Sequence, residues 1–176
     1  KWDDPAYSEK IKKVLVIGMS RSEAVRTKYE YTLADALKRE GVDASPSVSI
    51  MAANEEPTKD RIKATIDGKG YDTVLVTRLV SSTTEQRYVP GRAYVPPAPY
   101  YYGFYDYYAY TYPSVYSSGY MVNDTIVNLE TNVYETKTGK LVWAVISRTF
   151  NPDNLDKEID ALTMIIIEQL KKDGMI

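Results

Sequence analysis

Apolar positions along the chain follow two different spacings. Residues 12–18, KKVLVIG, form a short unbroken apolar run closed by glycine, the pattern of a strand buried on both faces. The next stretch, 20–41, switches to a helical period. Val25, Tyr29, Leu33, Ala36 and Leu37 share one face, Ser20 and Glu23 have capping-box spacing, and Gly41 stands where a left-handed C-cap belongs. VDASPSVSI, 42–50, reads as a second strand; Pro46 cannot donate to a ladder and places it near an edge. A helix at about 58–67 carries Ile62 and Ile66 one turn apart and is closed by DGKG. Residues 71–80, YDTVLVTRLV, are a further buried-type strand. Two strand–helix–strand units in succession imply parallel pairing with right-handed crossovers.

Beyond residue 122 the pattern changes again. Two runs rich in β-branched and aromatic residues flank TKTGK, a hairpin with Gly139 at the left-handed position. Val127, Leu129, Thr131 and Val133 alternate with Asn128, Glu130 and Asn132, which gives a sheet one wet face or a partly covered one. The last helix buries Ile159, Leu162, Ile166 and Leu170, with Asn151 or Asp153 as its cap and Pro152 in its first turn. The predicted fold class is therefore α/β, in the order βαβαβ–long loop–ββα. Its sheet is mixed, with three parallel strands plus an antiparallel hairpin, in a single domain spanning 1–176.

The long loop, about 88–120, alters that picture. Its segment 99–120 holds ten of the chain's seventeen tyrosines, and from 93 to 122 its one charged residue is Asp106. Charge does not solvate such a segment as it does a disordered linker. Five prolines between 90 and 113 forbid long regular elements within it. Tyrosine offers large contact area and a polar tip at small entropic cost, as binding surfaces require. Tyr100, Tyr101, Tyr102, Phe104, Tyr105, Tyr107, Tyr108, Tyr110 and Tyr112 are accordingly the candidate partner-binding residues. Three roles are open to them: a flap over the sheet, a patch for a partner, or a membrane-interface belt.

Composition narrows the chemistry. The 176 residues contain no cysteine and no histidine, which removes disulfides, thiol nucleophiles, the usual zinc ligands and the commonest neutral-pH base. No metal and no cofactor is expected. A net charge of −2 argues against a nucleic-acid partner. The alternative is a small anion or ligand binder at the carboxyl ends of the parallel strands, where the strand–helix turn IGMSRS offers Ser20, Arg21 and Ser22 to an anion, without a G-x-G-x-x-G or P-loop fingerprint. Asp153, Asp156, Glu158 and Asp160 crowd one helix start, but Leu155 and the missing glycine break calcium-loop spacing. Glu130 with Glu85 or Asp124 leaves a carboxylate-dependent hydrolase as the least favoured reading, so no enzyme is expected.

Several strings resemble one family: KWDDPAY (1–7), KKVLVIGMS (12–20), VLVTRLV (74–80), RYVPG (87–91) and DTIVNLETNVYETKTGKLVW (124–143). They look like small Gram-negative envelope lipoproteins that carry a domain of unknown function with a Tyr/Pro-rich insertion. The element order is similar, more distantly, to lipoproteins that activate wall synthases or build the curli secretion channel, and to the small N-terminal domain of the Tol system's propeller protein. The resemblance implies a periplasmic domain anchored to the outer membrane by an N-terminal lipid upstream of Lys1. It also implies an envelope protein, a second copy or a cell-wall glycan as partner, with membrane contact through that lipid alone. It supplies no catalytic residues.

Overall fold

The computed structural model describes residues 1–51, 58–89 and 119–176. The chain divides into two compact units, 1–82 with 126–176, and 83–125. In chain order the elements are β1 (Trp2–Asp3), β2 (Lys13–Met19), α1 (Glu23–Arg39), β3 (Asp43–Pro46) with a 3-10 turn (Ser47–Ser49), and α2 (Lys59–Lys69). Then follow β4 (Thr73–Val89), β5 (Tyr120–Glu135), β6 (Leu141–Phe150) and α3 (Leu155–Lys172).

The six strands form one mixed sheet in the order β1-β6-β5-β4-β2-β3. β2 pairs in parallel with β3 and with β4, in register from Val14↔Thr73 to Met19↔Arg78. β5 and β6 are antiparallel, with an irregularity between Val133 and Tyr134. Cross-strand bonds Thr77–Thr131 and Asn128–Ser81 fix β4 against β5 as antiparallel too. The α/β class, the three parallel strands and the hairpin are thus as expected, and β3 with its Pro46 does form an edge. At the other edge, Trp2↔Ala144 and Asp3↔Trp143 pair a two-residue strand that the hydrophobic pattern does not signal. Gly139 turns the hairpin at φ 69°, and its N–H reaches the Glu135 carbonyl at 2.8 Å.

Strand alternation sorts the first unit's core onto two faces. Val14, Val16, Leu75, Val133, Trp143 and Val145 pack with α1 and α3 in the larger cluster. Leu15, Ile17 and Val74 face the other way and meet Ile62 and Ile66 of α2. Fully burying such side chains contributes about 1.5–3 kcal/mol each. On the α2 side, Asn128 and Asn132 of β5 are half-buried while Ile146, Arg148 and Phe150 of β6 are exposed, so the polar face is partly covered along β5 and open along β6. Asp72, just before β4, accepts the backbone N–H of both Lys12 and Lys13 at 2.9 Å and so sets the β2–β4 register.

Two caps differ from the sequence expectation. α1 starts at Glu23, so Ser22 is its N-cap and takes the Val25 N–H at 3.4 Å. Ser20 therefore lies two residues before the cap, and Glu23 is the first helical residue, not the third a box requires; its carboxylate instead faces the helix dipole. α3 starts at Leu155, and Asn154 caps it by accepting from Asp156 and Lys157. Pro152 therefore precedes the helix, and Asn151 turns the chain at φ 48°.

In the second unit, the described residues are the end of β4 and the start of β5. Arg87 pairs with Asp124 at 2.8 Å and Thr84 meets Thr125 at 3.4 Å. Tyr88 lies so close to Gly119 that a Cβ there would sit 2.1 Å from its hydroxyl. The candidate aromatic residues Tyr100 to Tyr112 lie outside the described residues.

Candidate functional site

The first unit's distinctive chemistry gathers where β2 and α1 meet. Glu30 lies four residues after Arg26, so both project from the same side of α1. Its carboxylate is fully buried and accepts hydrogen bonds from the Gly18 N–H, Arg26 Nε, Ser47 Oγ and the Val48 N–H at 2.8–2.9 Å. Arg26 also donates through Nη2 to Ser47 Oγ at 2.8 Å. A buried carboxylate is stable only when its lone pairs are filled in this way. Three segments close in sequence (the end of β2, α1 and the turn after β3) are joined by one side chain.

Gly18 explains why α1 approaches so closely. A Cβ at that position would lie 3.0 Å from Tyr29 Cδ1 and 3.5 Å from Glu30 Cγ. Tyr29 is buried, and its hydroxyl shares a short hydrogen bond with Thr77 Oγ1, which in turn meets Thr131 Oγ1 at 2.8 Å. Burial pushes the Tyr29 phenol well above its ordinary range, against the opposing pull of the Thr77 and Thr131 bonds.

Above this floor a cleft of about 440 Å³ opens at the carboxyl ends of β2 and β4. α1 supplies Val25 and Tyr29 to one wall, and α3 supplies Leu155, Ile159 and Leu162 to the other. Leu79, Val127 and Leu129 of the sheet complete an apolar lining. Leu79 and Leu155 are about half exposed, so the cleft is open to solvent. Asp153 and Glu158 stand on the α3 side, Arg78 on the sheet side. Arg78 is already paired with Glu130 at 2.7 Å. Cavities of this size and polarity hold small ligands or a partner's apolar side chains.

The sequence-predicted anion residues sit at the rim of this cleft. Ser20 contributes to the lining, while Arg21 and Ser22 are exposed at the start of α1. Ser22 spends its hydroxyl on capping, and its own N–H bonds Ser20 Oγ at 3.2 Å. The strand-end amide that would greet an anion, Gly18 N–H, is occupied by Glu30. Of the carboxylates considered for hydrolysis, Glu130 pairs with Arg78 and Asp124 with Arg87. In the acidic run, Asp156 forms an ion pair with Lys28. The apolar lining escaped sequence reading because Leu79, Val127 and Leu129 fit an ordinary buried-strand pattern. The Arg26–Glu30 spacing was the one available signal for the network.

Fold and cleft define an α/β domain with a mixed sheet and an apolar cleft at its parallel strand ends. No family model and no curated protein sequence matches the chain. Among solved structures it is similar to lipoprotein GNA1162 from Neisseria meningitidis, at 14% identity and TM-score 0.48, covering 92% of this chain and 99% of that one. It is similar to the PelC dodecamer from Paraburkholderia phytofirmans at 13% identity and TM-score 0.47, covering 90% and 86%. A minor lipoprotein from Acinetobacter baumannii follows at 12% identity and TM-score 0.37, covering 93% and 95%. At these scores the likenesses carry no functional argument.

Proposed function

We propose that this chain is a non-enzymatic domain of the bacterial envelope that works by binding or assembly. The observation that supports the reading is the cleft. Its walls are apolar, and the polar groups at its base are committed to internal partners: Tyr29 to Thr77, Arg26 to Glu30. Such a surface holds an apolar group. The envelope location, with a lipid anchor in the outer membrane, rests on the sequence strings that resemble envelope lipoproteins. The partner in this reading is an envelope protein, a second copy or a wall glycan. The Tyr-rich insertion at about 88–120 is a second contact surface, supported by its composition.

The test treats the two surfaces separately in full-length protein expressed in a Gram-negative cell. One variant replaces 93–118 with a Gly/Ser loop; the other places Asp at Leu79 and Leu155, both already half exposed. The expected result is near-native melting temperature with loss of crosslinked envelope partners from at least one variant. Retention of every crosslink by both folded variants would overturn the proposal.

A further inference from the structure

We infer that the cleft receives a short segment of a partner protein that combines apolar side chains with Lys or Arg; this rests on the binding reading above and names its chemistry. The apolar requirement follows from walls formed by Val25, Leu79, Val127, Leu129, Leu155 and Leu162. The basic requirement follows from charge. Four charged residues border the cleft: Arg26, Arg78, Asp153 and Glu158. Each arginine is neutralised by a carboxylate outside the lining, Glu30 at 2.9 Å and Glu130 at 2.7 Å. Asp153 and Glu158 have no ion-pair partner among the described residues, so the mouth keeps their two negative charges.

The positive ends of α1 and α3 also point here, and each contributes roughly half a charge. Glu23 in the first turn of α1 faces that dipole as well, whereas Asp156 in that of α3 is paired with Lys28 and Arg21 stands exposed at the rim. With Arg21 and the two helix ends set against Asp153, Glu158 and Glu23, the mouth keeps a negative excess of about one charge. A fatty acid or phospholipid would place its anionic head against Asp153 and Glu158, whereas a peptide with Lys or Arg beside Leu or Val meets both walls and rim. Opposite charge at a rim speeds association and selects partners more than it adds affinity.

The probes are three short capped peptides: one of Leu, Val and Lys, one with Glu in place of Lys, and one of Ser, Gly and Lys. Decanoate serves as a lipid probe. Binding to this chain is followed by methyl NMR at low salt. The Leu/Val/Lys peptide is expected to move the methyls of Val127, Leu129 and Leu155 and to bind at least tenfold more tightly than the other two. D153K/E158K should weaken it roughly tenfold, the scale of two lost exposed pairs, and D153N/E158Q by less. If the reversed variant fails to fold, the neutral variant decides alone. Equal binding of the acidic peptide, equal binding of the Ser/Gly/Lys peptide, or indifference to both variants overturns the inference. Decanoate binding without peptide binding also overturns it, while leaving the binding reading intact. Failure of that reading has a separate signature, the unchanged crosslinks of both cleft and insertion variants.

Discussion

Replacing Glu30 with alanine removes the acceptor from four groups at once. The Gly18 N–H is buried, and an unsatisfied buried donor costs about 1–3 kcal/mol. Among the described residues Arg26 keeps only Ser47 as a partner, and its side chain is 19% exposed. Breaking a buried pair from one side costs about 3–5 kcal/mol, and Arg26's partial access to water sets its share at the low end. Taken together, E30A should destabilise by about 4 kcal/mol, a large part of a typical 5–15 kcal/mol. For a chain of this length that lowers the melting temperature by about 8–16 °C. Urea unfolding with an unchanged slope should show a midpoint lower by about 2 M at a slope of about 2 kcal/mol/M. Acetate then offers a second readout. A carboxylate diffusing into the vacated site at tenfold its Kd would return about 1.4 kcal/mol to E30A and nothing to the native chain. A loss below 1 kcal/mol would refute the view that this carboxylate ties β2, α1 and the β3 turn together. So would acetate stabilising both proteins equally.

Two further substitutions probe neighbouring parts of the fold. Gly18→Ala should cost about 1–3 kcal/mol in the same unfolding assay, because its methyl must displace the Tyr29 ring 3.0 Å away; Gly68→Ala, with nothing within 4 Å, is the control. Burial pushes the Asp173 carboxyl up, but hydrogen bonds from Lys1, Trp143 and Gln169 outweigh that and hold it below its ordinary range. A lowered pKa stabilises the fold above the unfolded carboxylate value, about 3.9, and the benefit is lost as pH falls through the folded value. D173N should therefore be less stable by about 2 kcal/mol at neutral pH, with the gap to the native protein closing below about pH 4. A gap that is constant from pH 7 to 2.5 would sink the assignment.

The sheet was legible because each of its long strands advertises itself locally. KKVLVIG and VLVTRLV are continuous apolar runs, and the 127–133 alternation names its wet face. Caps were legible in type but not in register, since Ser20, Ser22, Asn151 and Asn154 are all competent oxygens and only the packing of α1 and α3 on the sheet chooses among them. β1 was not legible. Two residues have no period, and Trp2 and Asp3 are strand only because β6 presents an edge and Asp173 holds Lys1 beside it.

The anion-site reading of the β2–α1 turn turned on a feature that looks the same in sequence whether it recruits an outside ligand or an inside one. A strand ending in glycine, a helix N-terminus and an arginine are the equipment for holding negative charge. Here Glu30, one helical turn beyond Arg26, supplies that charge from within. Because the carboxylate is covalently attached, it meets the Gly18 amide without the translational entropy a free anion loses on binding. The Gly18 amide and Arg26 are consumed by that union while Arg21 stays exposed, and the same elements line the cleft with Val25 and Tyr29 of α1, Leu79 of β4 and Leu155 of α3. The internal anion thus takes the Gly18 amide and Arg26 for itself and, by holding α1 against β2, builds one wall of the cleft.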